Sequence, residues 1–260
     1  EKCVFLSRIY TKDEFNYSNT DLQNLDYNIL EKQDAIVLNE LKEIPQSLQT
    51  TLKSFVEKGG NLIVIPANEN EVSNLNSFLG NFGKTQFKSL QDSEKLITKI
   101  AFNNPIYQGV FEKQISNFQY PNTKSNFVLD NSNPAILSYE DQSPFLTSIQ
   151  NQLSSVYVFS AEINKNNSNF QNSPLIVPTF YNMAQSAQKT GISALTIGNN
   201  NTFVVDALLG KDEILNIKNQ FENFIPTQQL LNNKVKLTCN DYPEDAGNFG
   251  IYKKDKLLKK

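Results

Sequence analysis

The chain has 260 residues, 39% apolar and 20% charged, a polar but core-capable balance for one large domain or a medium domain with a small companion. A net charge of −3 gives no basic field to draw in nucleic acid, and no such partner is expected. There is no histidine, which excludes Ser-His-Asp and Cys-His-Glu catalysis within the chain, histidine-containing zinc sites and the two-His-one-carboxylate iron site.

In chain order, Cys3-Val4-Phe5-Leu6-Ser7-Arg8-Ile9-Tyr10 reads as a helix of the kind that follows a strand. That places the first strand of the sheet upstream of Glu1. Ala35-Ile36-Val37-Leu38, Leu62-Ile63-Val64-Ile65 and Val156-Tyr157-Val158-Phe159 are continuous apolar runs, the pattern of parallel strands buried on both faces. Between the first two, Pro45 opens a helix with Leu48, Leu52, Phe55 and Val56 on one face, and Gly59 supplies its left-handed stop. This is a βαβ unit of right-handed crossover. A second helix carries Val72, Leu75, Phe78 and Leu79 up to Gly80, and Phe87 to Ala101 is extended. Through 112–150, Pro121, Pro134 and Pro144 mark connections between short strands. A helix over Pro174 to Ser186 follows, with Pro178 harmless only if it falls in the first turn.

After Gln188 the period changes. Ile192–Ile197, Thr202–Val205, Glu213–Ile217, Val235–Cys239 and Asn248–Tyr252 are candidate strands with no helix between them, which suggests a small β-sandwich. The expected domains are therefore 1–188 and 189–260. Cys3 and Cys239 fit no metal or redox spacing and read as unpaired buried thiols. The terminal lysines from Lys253 read as a solvated end or a cut site, and the Asn-rich loops (Asn166-Asn167, Asn199-Asn200-Asn201) as genomic base composition. No apolar run approaches the roughly 18 residues that cross a bilayer. A fragment cut from a longer membrane protein has the same appearance.

The stretch from Asp34 to Pro66 resembles the centre of a class I glutamine amidotransferase-like domain, in particular its trehalose-utilisation-type branch. Phe102-Asn103-Asn104-Pro105-Ile106 is similar to that branch's His-Pro-Ile segment, with Asn104 where histidine would stand. Leu38-Asn39-Glu40-Leu41, Asn104-Pro105-Ile106 and Pro174-Leu175-Ile176-Val177-Pro178, in that order, also resemble membrane-anchored bacterial proteins of the Bat aerotolerance type, from about Ile9 to Tyr252. The resemblance implies a three-layer flavodoxin-like α/β fold with a parallel sheet and a C-terminal small β-sandwich domain. It also implies a periplasmic location, membrane contact only through segments outside this chain, and other membrane or periplasmic proteins as partners.

In enzymes of that fold, the turn after the first strand forms the oxyanion hole, and the turn after the second carries a nucleophile. Here those turns read Asn39-Glu40 and Pro66-Ala67-Asn68-Glu69, with no Cys or Ser nucleophile, and Ser160-Ala161-Glu162 holds no histidine base. All three parts are missing, so a non-catalytic interaction or scaffold module is expected, without cofactor or metal. Ligands of open α/β sheets bind beyond the strands' carboxyl ends. That makes Asn39, Glu40, Asn68, Glu69, Asn104, Ser160 and Glu162 the candidate crevice. Two alternatives use it: carbohydrate binding or processing through Glu40 with Glu69 or Glu162, and a calcium-stabilised structural module.

Overall fold

The computed structural model describes residues 4–107, 110, 119–151, 154–188, 197–198, 201–207, 209–210, 212–231 and 234–259. The chain divides into two compact units, Glu1–Gln188 and Lys189–Lys260.

In the first unit, α1 (Val4–Ile9) and α2 (Tyr27–Leu30) precede β1 (Ala35–Leu41), α3 (Gln46–Glu57), β2 (Asn61–Pro66) and α4 (Val72–Leu79). Helix α3 takes Pro45 as its N-cap residue and buries Leu48, Leu52, Phe55 and Val56. It ends where Gly59 adopts φ 98°, a left-handed conformation that costs glycine little. The next residue, Gly60, lies so close to the Phe55 ring that a Cβ would sit 2.1 Å from Cζ. The helix therefore closes directly onto β2, whose six residues are all buried.

Then come β3 (Gln86–Gln91), β4 (Lys95–Ile100), β5 (Asn122–Thr123), β6 (Asn126–Asp130), β7 (Ala135–Tyr139), β8 (Pro144–Gln150), β9 (Ser155–Phe159) and α5 (Ile176–Gln188). Pro178 is the third residue of α5, inside the first turn, where its missing N–H leaves no intrahelical bond unmade. Among the described residues the main sheet runs β1-β2-β9-β8-β7-β4-β5, and β3 pairs with β6 apart from it.

The expected parallel sheet is realised in only two of the main sheet's six pairings among the described residues. β1, β2 and β9 are parallel, whereas β9 to β8, β8 to β7, β7 to β4 and β4 to β5 are antiparallel. The cause is connection length. Residues 140–143 and 151–154 join β7–β8 and β8–β9, far short of the dozen or more that a parallel crossover needs. One apolar cluster joins α1 and α5 to one face through Ile63, Ile65, Tyr157 and Phe159. A second joins α3 and α4 to the other through Leu62, Val64, Val156 and Val158. Phe170 and Phe180 are fully buried, and Phe180 stacks on Phe159 at 5.6 Å, so these aromatics pack the helix layer.

In the second unit, β10 (Asn201–Asp206), β11 (Leu215–Lys218), β12 (Asn223–Phe224), β13 (Thr227–Leu231), β14 (Lys234–Cys239), β15 (Gly250–Lys253) and β16 (Lys256–Lys259) form two antiparallel sheets, β10-β14-β13 and β12-β11-β15-β16. Val205, Val235, Leu237 and Cys239 of the first sheet share an apolar core with Leu215, Ile217, Phe224 and Ile251 of the second. The Gln228 amide joins the sheets as a strand would, accepting from Leu215 N and donating to Leu215 O, both at 2.8 Å. The lysine-rich end is not a loose tail: Lys256–Lys259 pairs with β15, and Lys253 holds Glu213 at 2.7 Å. Cys239 is a free buried thiol, as expected, and burial raises its pKa. The expected strand at 192–197 lies almost wholly outside the described residues, as does Cys3.

Candidate functional site

The carboxyl ends of β1, β2 and β9 meet at one edge of the first unit, and Glu40 is the residue that turns inward there. The β1–β2 register jumps from Asn39↔Ile65 to Leu41↔Pro66, so Glu40 is the extra residue of a bulge, with φ 53°. A left-handed non-glycine residue costs on the order of 1–2 kcal/mol. The cost is offset by what the side chain reaches: Glu40 is only 5% exposed, and its Oε1 and Oε2 accept from Asn164 N and Asn164 Nδ2, each at 3.0 Å.

Asn164, in the loop after β9, is the hub. Its Nδ2 also donates to Glu162 Oε2 at 2.9 Å, so one amide group bridges two carboxylates. Glu162 Oε1 accepts from Asn68 N at 2.8 Å, and Asn68 Nδ2 donates to Ser125 Oγ at 2.8 Å. Asn167 completes the ring. Its Oδ1 accepts from Ser125 N and Oγ, and its Nδ2 donates to Ser125 O and Glu162 O. Asn70 locks the loop after β2, accepting from Ala67 N and donating to Leu41 O and Lys42 O. Asn68 Oδ1 is buried with no hydrogen-bond partner among the described residues.

Of the seven candidates, the structure brings together Glu40, Asn68 and Glu162. The other four stand apart. Glu69 is exposed and forms an ion pair with Lys42, whose pKa it raises by hydrogen bonding. Asn104 accepts from Ile106 N within its own turn. Asn39 lines a groove along β1. Ser160 is fully buried and extends the β9 backbone ladder: its N–H donates to Phe145 O, its carbonyl accepts from Phe127 N, and its Oγ lies 3.3 Å from the Tyr139 hydroxyl. Burial pushes that hydroxyl up to about 12, so it stays neutral.

Asn164, Asn167, Ser125 and Asn70 were not among the expected site residues. Asn167, taken with the Asn-rich loops as a mark of base composition, is 5% exposed and builds the network. The available signal was the alternation Glu162-Ile163-Asn164 directly after a buried strand. It places two polar side chains on one side of a loop whose intervening residue, Ile163, is fully buried.

The arrangement is that of carboxylates whose four oxygens each already accept a hydrogen bond from the same chain. The space between Glu40 and Glu162, where a water or a sugar oxygen would stand in a paired-carboxylate site, is taken by Asn164 Nδ2. No group of three or more acidic or cysteine side chains suited to a metal ion occurs among the described residues.

No protein-family model matches the chain, and no curated protein matches it in sequence. Solved structures do. A cytoplasmic protein of Salmonella typhimurium superposes with a TM-score of 0.54 at 13% identity, over 71% of this chain and 86% of that one. A second from the same organism gives 0.51 at 14% identity, over 72% and 87%. A protein of Bacteroides uniformis described as ThuA-like gives 0.50 at 13% identity, over 70% and 81%. Identities this low speak to the fold alone. The neighbours thus include a ThuA-like (trehalose-utilisation-type) protein, and the likeness fits a flavodoxin-like α/β arrangement with a mixed sheet.

Proposed function

We propose that this chain is a non-catalytic interaction module, an amidotransferase-like domain whose former active-site crevice has become a structural clamp. The observation that carries this reading is Asn164 Nδ2 bridging Glu40 and Glu162 where a reactive centre would need open space. The sequence supports it further, since no histidine is present and Pro66-Ala67-Asn68-Glu69 holds no Cys or Ser nucleophile. The extracytoplasmic, membrane-anchored setting of the Bat type is part of the proposal and rests on the sequence resemblance. In that setting the domain presents a surface to other membrane or periplasmic proteins.

Capture of partners by the full-length protein from solubilised membranes tests the reading. A defined partner should be retained, and still retained by Glu162→Gln, because binding does not use the crevice carboxylates. Amidase, esterase or glycosidase turnover that disappears on changing Asn68 or Glu162 would overturn it.

A further inference from the structure

Strand β1 is the terminal strand of the main sheet, yet its residues Ala35-Ile36-Val37 are all apolar and half-exposed. The neighbouring β2, equally apolar, is wholly buried. Along the outer edge of β1 runs a groove of about 800 Å³. Leu6 and Ala184 bound it from one helix layer, Leu48 and Leu52 from the other, and the segment 15–21, which has no regular secondary structure, also lines it. The groove thus continues the plane of the sheet between the two helix layers. A strand of five residues is about 17 Å long, takes about 4.8 Å of sheet width, and fills a layer about 10 Å deep. Those dimensions enclose close to the groove's volume.

We propose that this groove receives a parallel β-strand of the same polypeptide, lying immediately N-terminal to Glu1 and inserted between β1 and the segment 15–21. The path of the chain argues for this occupant. β1 leads to β2, away from the groove, through α3 on the face of Leu62 and Val64. Parallel crossovers are right-handed, so a connection running the opposite way must use the opposite face. α1 lies on that opposite face, with Phe5, Leu6 and Ile9 packed beside Ile63 and Ile65. It is therefore placed to carry the chain from a strand in the groove outward to segment 15–21. The return to β1 passes α2, whose Leu30 lies on the α3 face, as the same hand requires.

The expression of two forms tests the proposal: the 260-residue chain, and the chain extended by its natural upstream residues. The upstream sequence should hold four to six mostly apolar residues ending within about six positions of Val4, the usual strand-to-helix loop length. In the longer form, amide exchange at Ile36–Leu38 should slow at least about 100-fold, and the melting temperature should rise. A proline placed mid-run in the longer form should return β1 exchange to that of the shorter one. The proposal is overturned by a reading frame that starts at Glu1, a polar upstream segment, or equal β1 exchange in both forms. A dimer of the shorter form with protected β1 amides also overturns it, in favour of a second copy.

Discussion

Replacing Asn164 with alanine tests whether the crevice is a clamp. The change removes Nδ2 from both Glu40 and Glu162, and Oδ1 from the Asn166 and Asn167 amides. Hydrogen bonds to a charged group contribute about 1.5–3 kcal/mol and neutral ones about 0.5–1.5. Water reaches this half-buried loop and recovers part of the loss. The net cost should be about 2–4 kcal/mol. Native-state amide exchange at Val156–Phe159 measures it within the first unit alone, which matters because a two-unit chain gives no single unfolding free energy. Glu40→Gln and the double variant complete a cycle, and the coupling between positions 40 and 164 should be about 1–3 kcal/mol. A loss below about 0.5 kcal/mol with no coupling would refute the clamp, since a spectator asparagine on an exposed loop behaves that way.

Other perturbations probe the rest of the molecule. Gly60→Ala drives a Cβ into the Phe55 ring and should cost about 1–3 kcal/mol, read as faster amide exchange at Leu62–Ile65, with the cost reduced when Phe55→Leu is added. Glu69→Ala, which touches only an exposed ion pair with Lys42, should shift stability by less than about 0.5 kcal/mol. Gln228→Ala removes both bonds to Leu215 and should cost the second unit about 1–3 kcal/mol, read as faster exchange at Leu215–Lys218. Asp141 is pulled up by partial burial, but hydrogen bonds from Lys95 and Ser143 outweigh this and hold its pKa at about 2. Its folded pKa is depressed, so its stabilisation is present above about pH 4 and is lost as pH falls toward 2. Asp141→Asn should flatten that part of the melting-temperature profile, modestly, because the carboxylate is partly exposed.

Where period and local chemistry agreed, the sequence was legible. β1, α3, β2, α4, β9 and α5 follow from apolar runs, helical spacing and the Pro45 and Gly59 signals. The antiparallel half was not, because its direction is set by which strands a short connection can join. Residues 140–143 reveal that only once β7 and β8 are known to be neighbours. β13 and β16 escaped because Gln228, Gln229 and the lysines of 256–259 look solvated, although their backbones pair. At the crevice, Glu40 and Glu162 could be placed from strand ends alone. Ser160 could not be excluded, since only the antiparallel neighbour β8 reveals that its backbone pairs with Phe145. Asn164 depends on a bulge at Glu40 that no periodicity announces.

The sheet order also carries a consequence for how the chain finds its structure. β2 pairs with β9, whose residues begin almost a hundred positions later, while β7, β8 and β9 pair across turns of a few residues. Closing short loops is fast and closing long ones slow, so the meander of residues 135–159 should organise first and template the earlier strands. During synthesis the reverse order holds: residues 61–66, with the apolar run Leu62–Ile65 at their centre, emerge well before their partner and wait with one side of their ladder unmade. For that interval the nascent chain is most exposed to misassociation, and a holding chaperone or slow translation near residue 160 would have its greatest effect there.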